Sequence, residues 1–146
     1  MLKHVSVTEA HDLQQGGATF VDVRSRAEFE AGHPADAVNV PLLDNDAATG
    51  QMTPNPDFLR VMQASFAPDT ALLVSCQAGG RSMRAAQMLE ALGFTDVSNV
   101  TGGFGGRRDP MGGRATGWAE SGLPVETGAP PGRRYEDLAA KAGVDE

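Results

Sequence analysis

The sequence predicts an α/β domain built on a mostly parallel, five-stranded sheet that is covered by helices on both faces. Three observations support this fold class. Five short runs rich in β-branched residues recur along the chain, helical spacing or a turn signal follows each run, and glycines or capping residues mark element ends. Strands that alternate with helices in this way typically form a parallel sheet between helical layers.

The individual elements follow in chain order. Strands are expected at 4–7, 19–23, 37–40, 71–75 and 96–100. A first helix is expected from Thr8 to a Gly-Gly stop after Gln15, and Ser25 with Glu28 forms an S-x-x-E capping box for the second. Apolar residues at helical spacing predict further helices over 57–66, 81–92 and 133–143. Residues 42–56 are turn-rich and are expected to form a surface connection.

Length and composition set the domain count. A chain of 146 residues with 40% hydrophobic residues is long enough to bury one core. We expect a single domain over residues 1–128 and a tail over 129–146, whose short helix docks on the domain or on a partner. No apolar run approaches the roughly 20 residues of a membrane span, and the N-terminal segment lacks the apolar stretch of a signal peptide. These observations predict a cytoplasmic protein without membrane contact.

Cysteine, histidine and charge counts exclude several classes. One cysteine cannot form an internal disulfide, and with three histidines it offers no zinc-binding set, so no metal is expected. The net charge of -7 argues against nucleic acid as a partner. However, residues 1–73 carry four basic and ten acidic side chains, whereas residues 74–132 carry five of each. Residues 74–132 therefore carry no net charge, which is compatible with a small anionic substrate.

The single cysteine, Cys76, stands between the apolar run ALLVS and the segment QAGGRS. A strand followed by a glycine-rich turn and a helix directs backbone N–H groups at an anion, and such a position favours an ionised thiolate. A lone cysteine is more often an inert buried residue. A core cysteine needs neither Gly79 and Gly80 nor Arg81 after it, so the sequence favours a nucleophile.

Two arginines follow the cysteine on the predicted helix. A cation at a helix start is unfavourable for the helix dipole, so an anionic partner is expected for Arg81. Arg84 lies one turn further on, where it faces either the same mouth or solvent.

Four segments in order resemble a rhodanese-like sulfurtransferase domain: VDVRSRAEFEAGH with AVNVP within 21–41, LLVSCQAGGRS at 72–82, ALGFTDVSNVTGG at 91–103 and GWAESGLPV at 117–125. The resemblance implies a three-layer α/β fold. It also implies that Cys76 accepts a sulfane sulfur from a small anion such as thiosulfate and passes it to cyanide, a low-molecular-weight thiol or a protein thiol. The covalent cysteine persulfide is then the intermediate, with no separate cofactor.

The resemblance assigns roles by position. The loop around the persulfide comprises Gln77, Ala78, Gly79, Gly80, Arg81 and Ser82. Asp22, Arg24 and Glu28 match a signature that we interpret as a structural polar network, and the Gly32-His33 pair is interpreted as part of the fold rather than as a general base.

The chain departs from the family pattern in two segments. Residues 34–37 read PADA where Ile-Pro-Gly-Ala is common, which predicts a rearranged turn. The segment FGGRRDPMGGRAT is inserted before Trp118 and carries Arg107, Arg108 and Arg114. These arginines are a candidate substrate loop: the insert forms either a cationic lid over Cys76 or a surface excursion.

Other functions remain open at this stage. The spacing from Cys76 to Arg81 is C-x4-R, whereas related phosphatases and arsenate reductases have C-x5-R, so their chemistry ranks below sulfur transfer. A binding or regulatory module on the same fold is the main alternative. Under the enzyme hypothesis, truncation after Gly132 is expected to leave sulfur transfer intact.

Overall fold

The computed structural model describes residues 2–108 and 113–144. Within them, the helices are Val7–Gln15 (α1), Arg26–Ala31 (α2), Phe58–Ser65 (α3), Gly80–Leu92 (α4) and Tyr135–Lys141 (α5). A 3-10 helix covers Ala119–Ser121. The strands are Lys3–Val5 (β1), Thr19–Asp22 (β2), His33–Pro34 (β3), Val38–Asn39 (β4), Leu43–Asn45 (β5), Met52–Pro54 (β6), Leu72–Ser75 (β7), Val97–Val100 (β8), Arg107–Arg108 (β9), Arg114–Ala115 (β10) and Val125–Glu126 (β11).

A five-stranded parallel sheet forms the centre of the molecule, in the order β1-β8-β7-β2-β4. Strand β7 lies in the middle, where Val74 pairs with Val21 of β2 and with Asn99 of β8. The pairings within this sheet are all parallel, which confirms the predicted fold class. The shorter strands pair antiparallel as β5 with β6, β9 with β10, and β3 with β11.

Helix caps decide where the elements begin and end. The first strand was predicted over 4–7, but it ends at Val5 because Ser6 caps α1. The Ser6 hydroxyl accepts the Glu9 N–H, and the Glu9 carboxylate accepts the Ser6 N–H. This S-x-x-E box is of the same type as the one predicted at the start of α2, which the structure confirms.

Residues 42–56 are more regular than predicted. In place of a turn-rich connection, β5 and β6 form an antiparallel ribbon, with Asp44 opposite Thr53. The ribbon pairs backbone N–H and C=O groups that a fully irregular loop would leave to solvent. It stands beside the start of α4 and contributes to the surroundings of the site described below.

The two faces of the sheet bury different cores, because successive strand side chains point to opposite faces. Val21 and Val74 face one core, which is completed by α3, α4 and α5, whereas Phe20 and Leu73 face the other, completed by α1, α2 and Trp118. The last helix is part of the first core. Its buried side chains are Tyr135, Leu138 and Ala139.

No helix within the described residues is both long and apolar enough to cross a membrane.

Candidate active site

Cys76 lies at the carboxyl end of β7, the central strand, and its side chain is only 2% exposed. The helix α4 begins four residues later at Gly80, with Gly79 as its N-cap. The Gly79 N–H donates a hydrogen bond to the Cys76 Sγ at 3.1 Å. The chain therefore passes from a buried strand through a short turn into a helix, as the sequence predicts, and a backbone donor at the helix N-terminus points at the sulfur.

Two glycines allow the cysteine loop to pack against the segment that follows β8. Gly79 has φ +100°, and a Cβ there would stand 2.6 Å from the Thr101 carbonyl oxygen. Gly103 has φ +61°, and its Cβ would stand 2.5 Å from the Cys76 carbonyl oxygen. Both a positive φ and so close an approach exclude a side chain. The two segments therefore fit together only because glycine occupies both positions.

Backbone hydrogen bonds join the same two segments. The Phe104 N–H donates to the Cys76 carbonyl at 2.8 Å, and the Gly105 N–H donates to the Gln77 carbonyl at 2.9 Å. Because these two carbonyls are occupied, the start of the cysteine loop is held in one conformation. Sequence reasoning interpreted this glycine-rich stretch as part of an insert and missed that it forms a wall of the site.

Ser82 and Asn99 form a buried polar chain behind the sulfur. The Cys76 thiol donates to the Ser82 hydroxyl at 3.4 Å, and the Ser82 oxygen lies 2.6 Å from the Asn99 Oδ1. A carboxamide oxygen only accepts, so Ser82 is the donor in this contact, and the Gly79 carbonyl oxygen, 3.2 Å from the Ser82 oxygen, is a second acceptor. Ser82 was predicted from its loop, whereas Asn99 was missed; a polar side chain inside the apolar strand VSNV was the available signal.

Arg81 meets its expected anion within the protein. Its Nη1 and Nη2 donate to the two carboxylate oxygens of Glu28 at 2.7 and 3.0 Å. Burial acts to raise the pKa of Glu28, but hydrogen bonds from Arg81 and Ser25 and the arginine charge outweigh it and hold the pKa at about 2. The same carboxylate raises the pKa of Arg81. The charge at the helix start is thus compensated before any substrate arrives.

A second arginine connects β2 with the cysteine loop. Arg24 is buried and binds both carboxylate oxygens of Asp22, at 2.8 to 3.1 Å. Its Nη1 donates to the Gln77 side-chain oxygen at 3.3 Å, and its guanidinium lies 4.4 Å from the centre of the Phe104 ring. A buried arginine with these partners positions the loop, which agrees with the structural role that the sequence suggested.

His33 is placed on another part of the fold. Its Nδ1 is hydrogen-bonded to the Phe29 carbonyl at 2.7 Å, and its Nε2 to Glu126 at 3.2 Å. Its ring stacks on Phe29. Both nitrogens serve the junction between α2, β3 and β11, as expected for a residue of the fold rather than a general base.

The three inserted arginines do not act as one group. Arg107 and Arg108 form β9 and pair with β10, and the Arg107 Nη1 lies 3.6 Å from the position that a Gly79 Cβ would occupy. Arg107 therefore reaches the cysteine loop. Arg108 is exposed, and Arg114 forms an ion pair with Glu120 at 2.6 Å. The tip of the insert, residues 109–112, lies outside the described residues.

The predicted loop is thus partly assembled around the sulfur. Gly79 and Ser82 contact the Sγ directly, while Gln77, Ala78 and Gly80 are exposed beside it. In residues 2–108 and 113–144, no three histidine, cysteine, aspartate or glutamate side chains lie close enough to hold a metal ion. The expectation that no cofactor is needed stays a prediction.

Comparison with known proteins decides the family. The model of the rhodanese-like domain matches residues 6–106. This chain belongs to the rhodanese-like domain family. The matched residues include the cysteine loop and end within the inserted segment, so the rhodanese-like match covers Cys76 and its surroundings.

Relatives with sulfurtransferase names are similar over most of this rhodanese-like chain. Thiosulfate sulfurtransferase 16, chloroplastic, from Arabidopsis thaliana is 41% identical over 122 residues, covering 84% of this chain and 91% of the relative. Thiosulfate sulfurtransferase 18 from the same plant is 34% identical, covering 84% and 82%. These relatives indicate rhodanese-type sulfurtransferase activity at the level of the family.

A solved structure agrees with the fold. The crystal structure of Rv0390 from M. tuberculosis superposes on this rhodanese-like domain with a TM-score of 0.70 and 30% identity, covering 88% of this chain and 98% of that chain. The name of the first plant relative places that protein in the chloroplast, so the cytoplasmic location expected for this chain stays a prediction.

Proposed function

We propose that this rhodanese-like domain transfers a sulfane sulfur from thiosulfate or a related anion to a thiol or cyanide acceptor through a persulfide on Cys76. The observation that supports this most is the position of the Cys76 Sγ, at the end of the central strand and 3.1 Å from the Gly79 N–H. A thiolate there gains a backbone donor and the positive end of α4.

The first half-reaction loads the enzyme. The Cys76 thiolate attacks the outer sulfur of thiosulfate, a new S–S bond forms, and the old S–S bond breaks with its electron pair leaving on sulfite. The terminal sulfur of the persulfide carries the negative charge, which backbone N–H groups of the loop are suited to stabilise. Arg107 is the inserted arginine placed beside this loop, and we assign it to attract the donor.

The second half-reaction transfers the outer sulfur from the Cys76 persulfide to the acceptor. A thiolate or cyanide attacks the outer sulfur, the S–S bond to Cys76 breaks, and its electron pair returns to the Cys76 Sγ. Because the cysteine ends as it began, no separate reductant or cofactor is consumed.

The ion pair of Arg81 with Glu28 argues against phosphatase activity as the alternative function. A phosphate ester carries its charge on oxygens that arginine binds in a bidentate manner. Here both terminal nitrogens of Arg81 are already bound to Glu28. A larger oxyanion would have to displace a carboxylate whose pKa is held at about 2.

Steady-state kinetics test the proposal. With thiosulfate and cyanide varied, a two-step covalent mechanism predicts parallel double-reciprocal lines, and thiosulfate alone predicts a burst of about one sulfite per protein. The Cys76→Ser protein, which keeps the fold with a similar side-chain volume, should give neither. Intersecting lines without a burst, or turnover by Cys76→Ser, would contradict the proposal.

A further inference from the structure

A groove of about 330 Å³ runs along the start of α4 beside the β5–β6 ribbon. Gly80 is one of the residues that line it, and a Cβ on Gly80 would meet nothing within 4 Å, so the surface is open there. The preceding residue, Gly79, binds the Cys76 sulfur. The groove therefore lies next to the proposed site of sulfur transfer. Its apolar walls are formed by Leu42, Leu43, Pro54 and Met88.

The charge in this groove is positive although the protein is acidic. Among the residues that the structure describes, no aspartate or glutamate side chain lines it. Of its two arginines, Arg81 is neutralised by Glu28. Arg84 is exposed, and within the described part of the chain it forms no ion pair with a carboxylate. The groove thus combines apolar walls with a cation that has no counter-charge of its own.

We propose that this groove binds the sulfur acceptor and selects a small thiol whose aliphatic chain ends in a carboxylate. The inference rests on the proposed function and specifies its acceptor. Arg84 lies one helical turn after Gly80, about 6 Å along the helix axis. An aliphatic chain of a few carbons spans that distance, with its carboxylate at Arg84 and its thiol at the Gly80 end.

The chemistry of transfer balances without another reactant. The acceptor thiol loses its proton to solvent, and the thiolate attacks the outer sulfur of the Cys76 persulfide. The bond from that sulfur to Cys76 breaks with its electron pair on the Cys76 Sγ, and the acceptor leaves as its own persulfide. The groove contributes binding and orientation, because its walls remove the aliphatic chain from water.

Single-turnover transfer tests the acceptor. Protein loaded from thiosulfate and freed of excess donor is mixed with mercaptohexanoate or mercaptohexanol, and loss of the added sulfur is followed by mass. In the native protein the acid should reach half-saturation at about fivefold lower concentration than the alcohol, since a carboxylate–guanidinium contact is worth about 1 kcal/mol. Arg84→Gln should abolish this preference, whereas Arg60→Gln, the same charge change on α3, should keep it.

A binding measurement tests ligand binding in the groove independently of the sulfur-transfer reaction. Octanoate and octanol carry no thiol, and their binding is followed by the methyl resonance of Met88. Octanoate should bind about fivefold more tightly than octanol in the native protein and equally in Arg84→Gln. If Cys76 gains no sulfur from thiosulfate, the proposed function alone is contradicted, and octanoate binding then tests the groove.

If acid and alcohol bind equally in the native protein, or if Arg84→Gln keeps the preference for the acid, the inference is overturned.

Discussion

Among the inserted arginines 107, 108 and 114, Arg107 is the one whose side chain is placed beside the cysteine loop. Its guanidinium reaches the Gly79 turn, whereas Arg114 is bound to Glu120 and Arg108 is exposed. We predict that Arg107→Gln raises the KM for thiosulfate about fivefold with little change in kcat, because a cation near the loop attracts the dianion. Arg108→Gln, the same change one residue away, should have a smaller effect. Equal effects in both variants would mean that only the overall charge matters.

The ion pair between Glu28 and Arg81 makes the stability of the folded protein depend on pH. The pKa of Glu28 is lowered from 4.5 to about 2 in the folded protein. A lowered pKa stabilises the fold at pH values above 4.5, and this contribution is lost as the pH falls towards 2. After discounting for its partial exposure, we expect Glu28→Gln to cost about 1 kcal/mol near pH 7. In urea titrations, the difference from the native protein should shrink below pH 4.5; a constant difference would contradict the account.

At the residue scale the sequence locates the cysteine proposed as the nucleophile, but not all of the residues around it. Cys76 and Ser82 were predictable because they follow one another in a strand–turn–helix pattern. Asn99 and Arg107 reach the same place from β8 and β9, and Arg81 finds Glu28 from α2. Such contacts depend on how the strands are ordered in the sheet, which local spacing does not contain.

At the scale of elements, the capping boxes of α1 and α2 allow an effect on stability to be distinguished from an effect on activity. Ser6 caps α1 and Ser25 caps α2, each paired with a glutamate three residues on. Replacement of either serine by alanine should cost about 1 kcal/mol of unfolding free energy, measured in urea. Only Ser25→Ala should also lower kcat/KM, by about threefold, because Ser25 hydrogen-bonds the glutamate that holds Arg81. An equal loss of activity in Ser6→Ala would contradict this link.

The predicted elements held where local signals were strong. The central strands and the helix after Cys76 are confirmed, since apolar runs and glycine stops define them. The ribbon of β5 and β6 was not predicted, because its pairing forms between two short polar stretches with no alternating pattern. The first strand was predicted too long because the Ser6 capping box was overlooked.

At the scale of the whole molecule, the C-terminal helix belongs to the core that also contains Cys76. The expectation that truncation after Gly132 leaves transfer intact is therefore revised, since it would remove Tyr135, Leu138 and Ala139 from that core. We predict that Leu138→Ala alone lowers the free energy of unfolding by about 2 to 4 kcal/mol. Urea denaturation measures this, with exposed Leu13→Ala as the control. A loss below about 0.5 kcal/mol would show that the helix is dispensable.

The whole fold places one thiol at the carboxyl end of its central strand, and the central claim is that this thiol carries sulfur. The most direct test is the intact mass of the protein after exposure to thiosulfate and removal of the excess. We predict a gain of about 32 Da, one sulfur atom, located on Cys76, reversed by a thiol acceptor and absent in Cys76→Ser. An unchanged mass, or the same gain in Cys76→Ser, would contradict it.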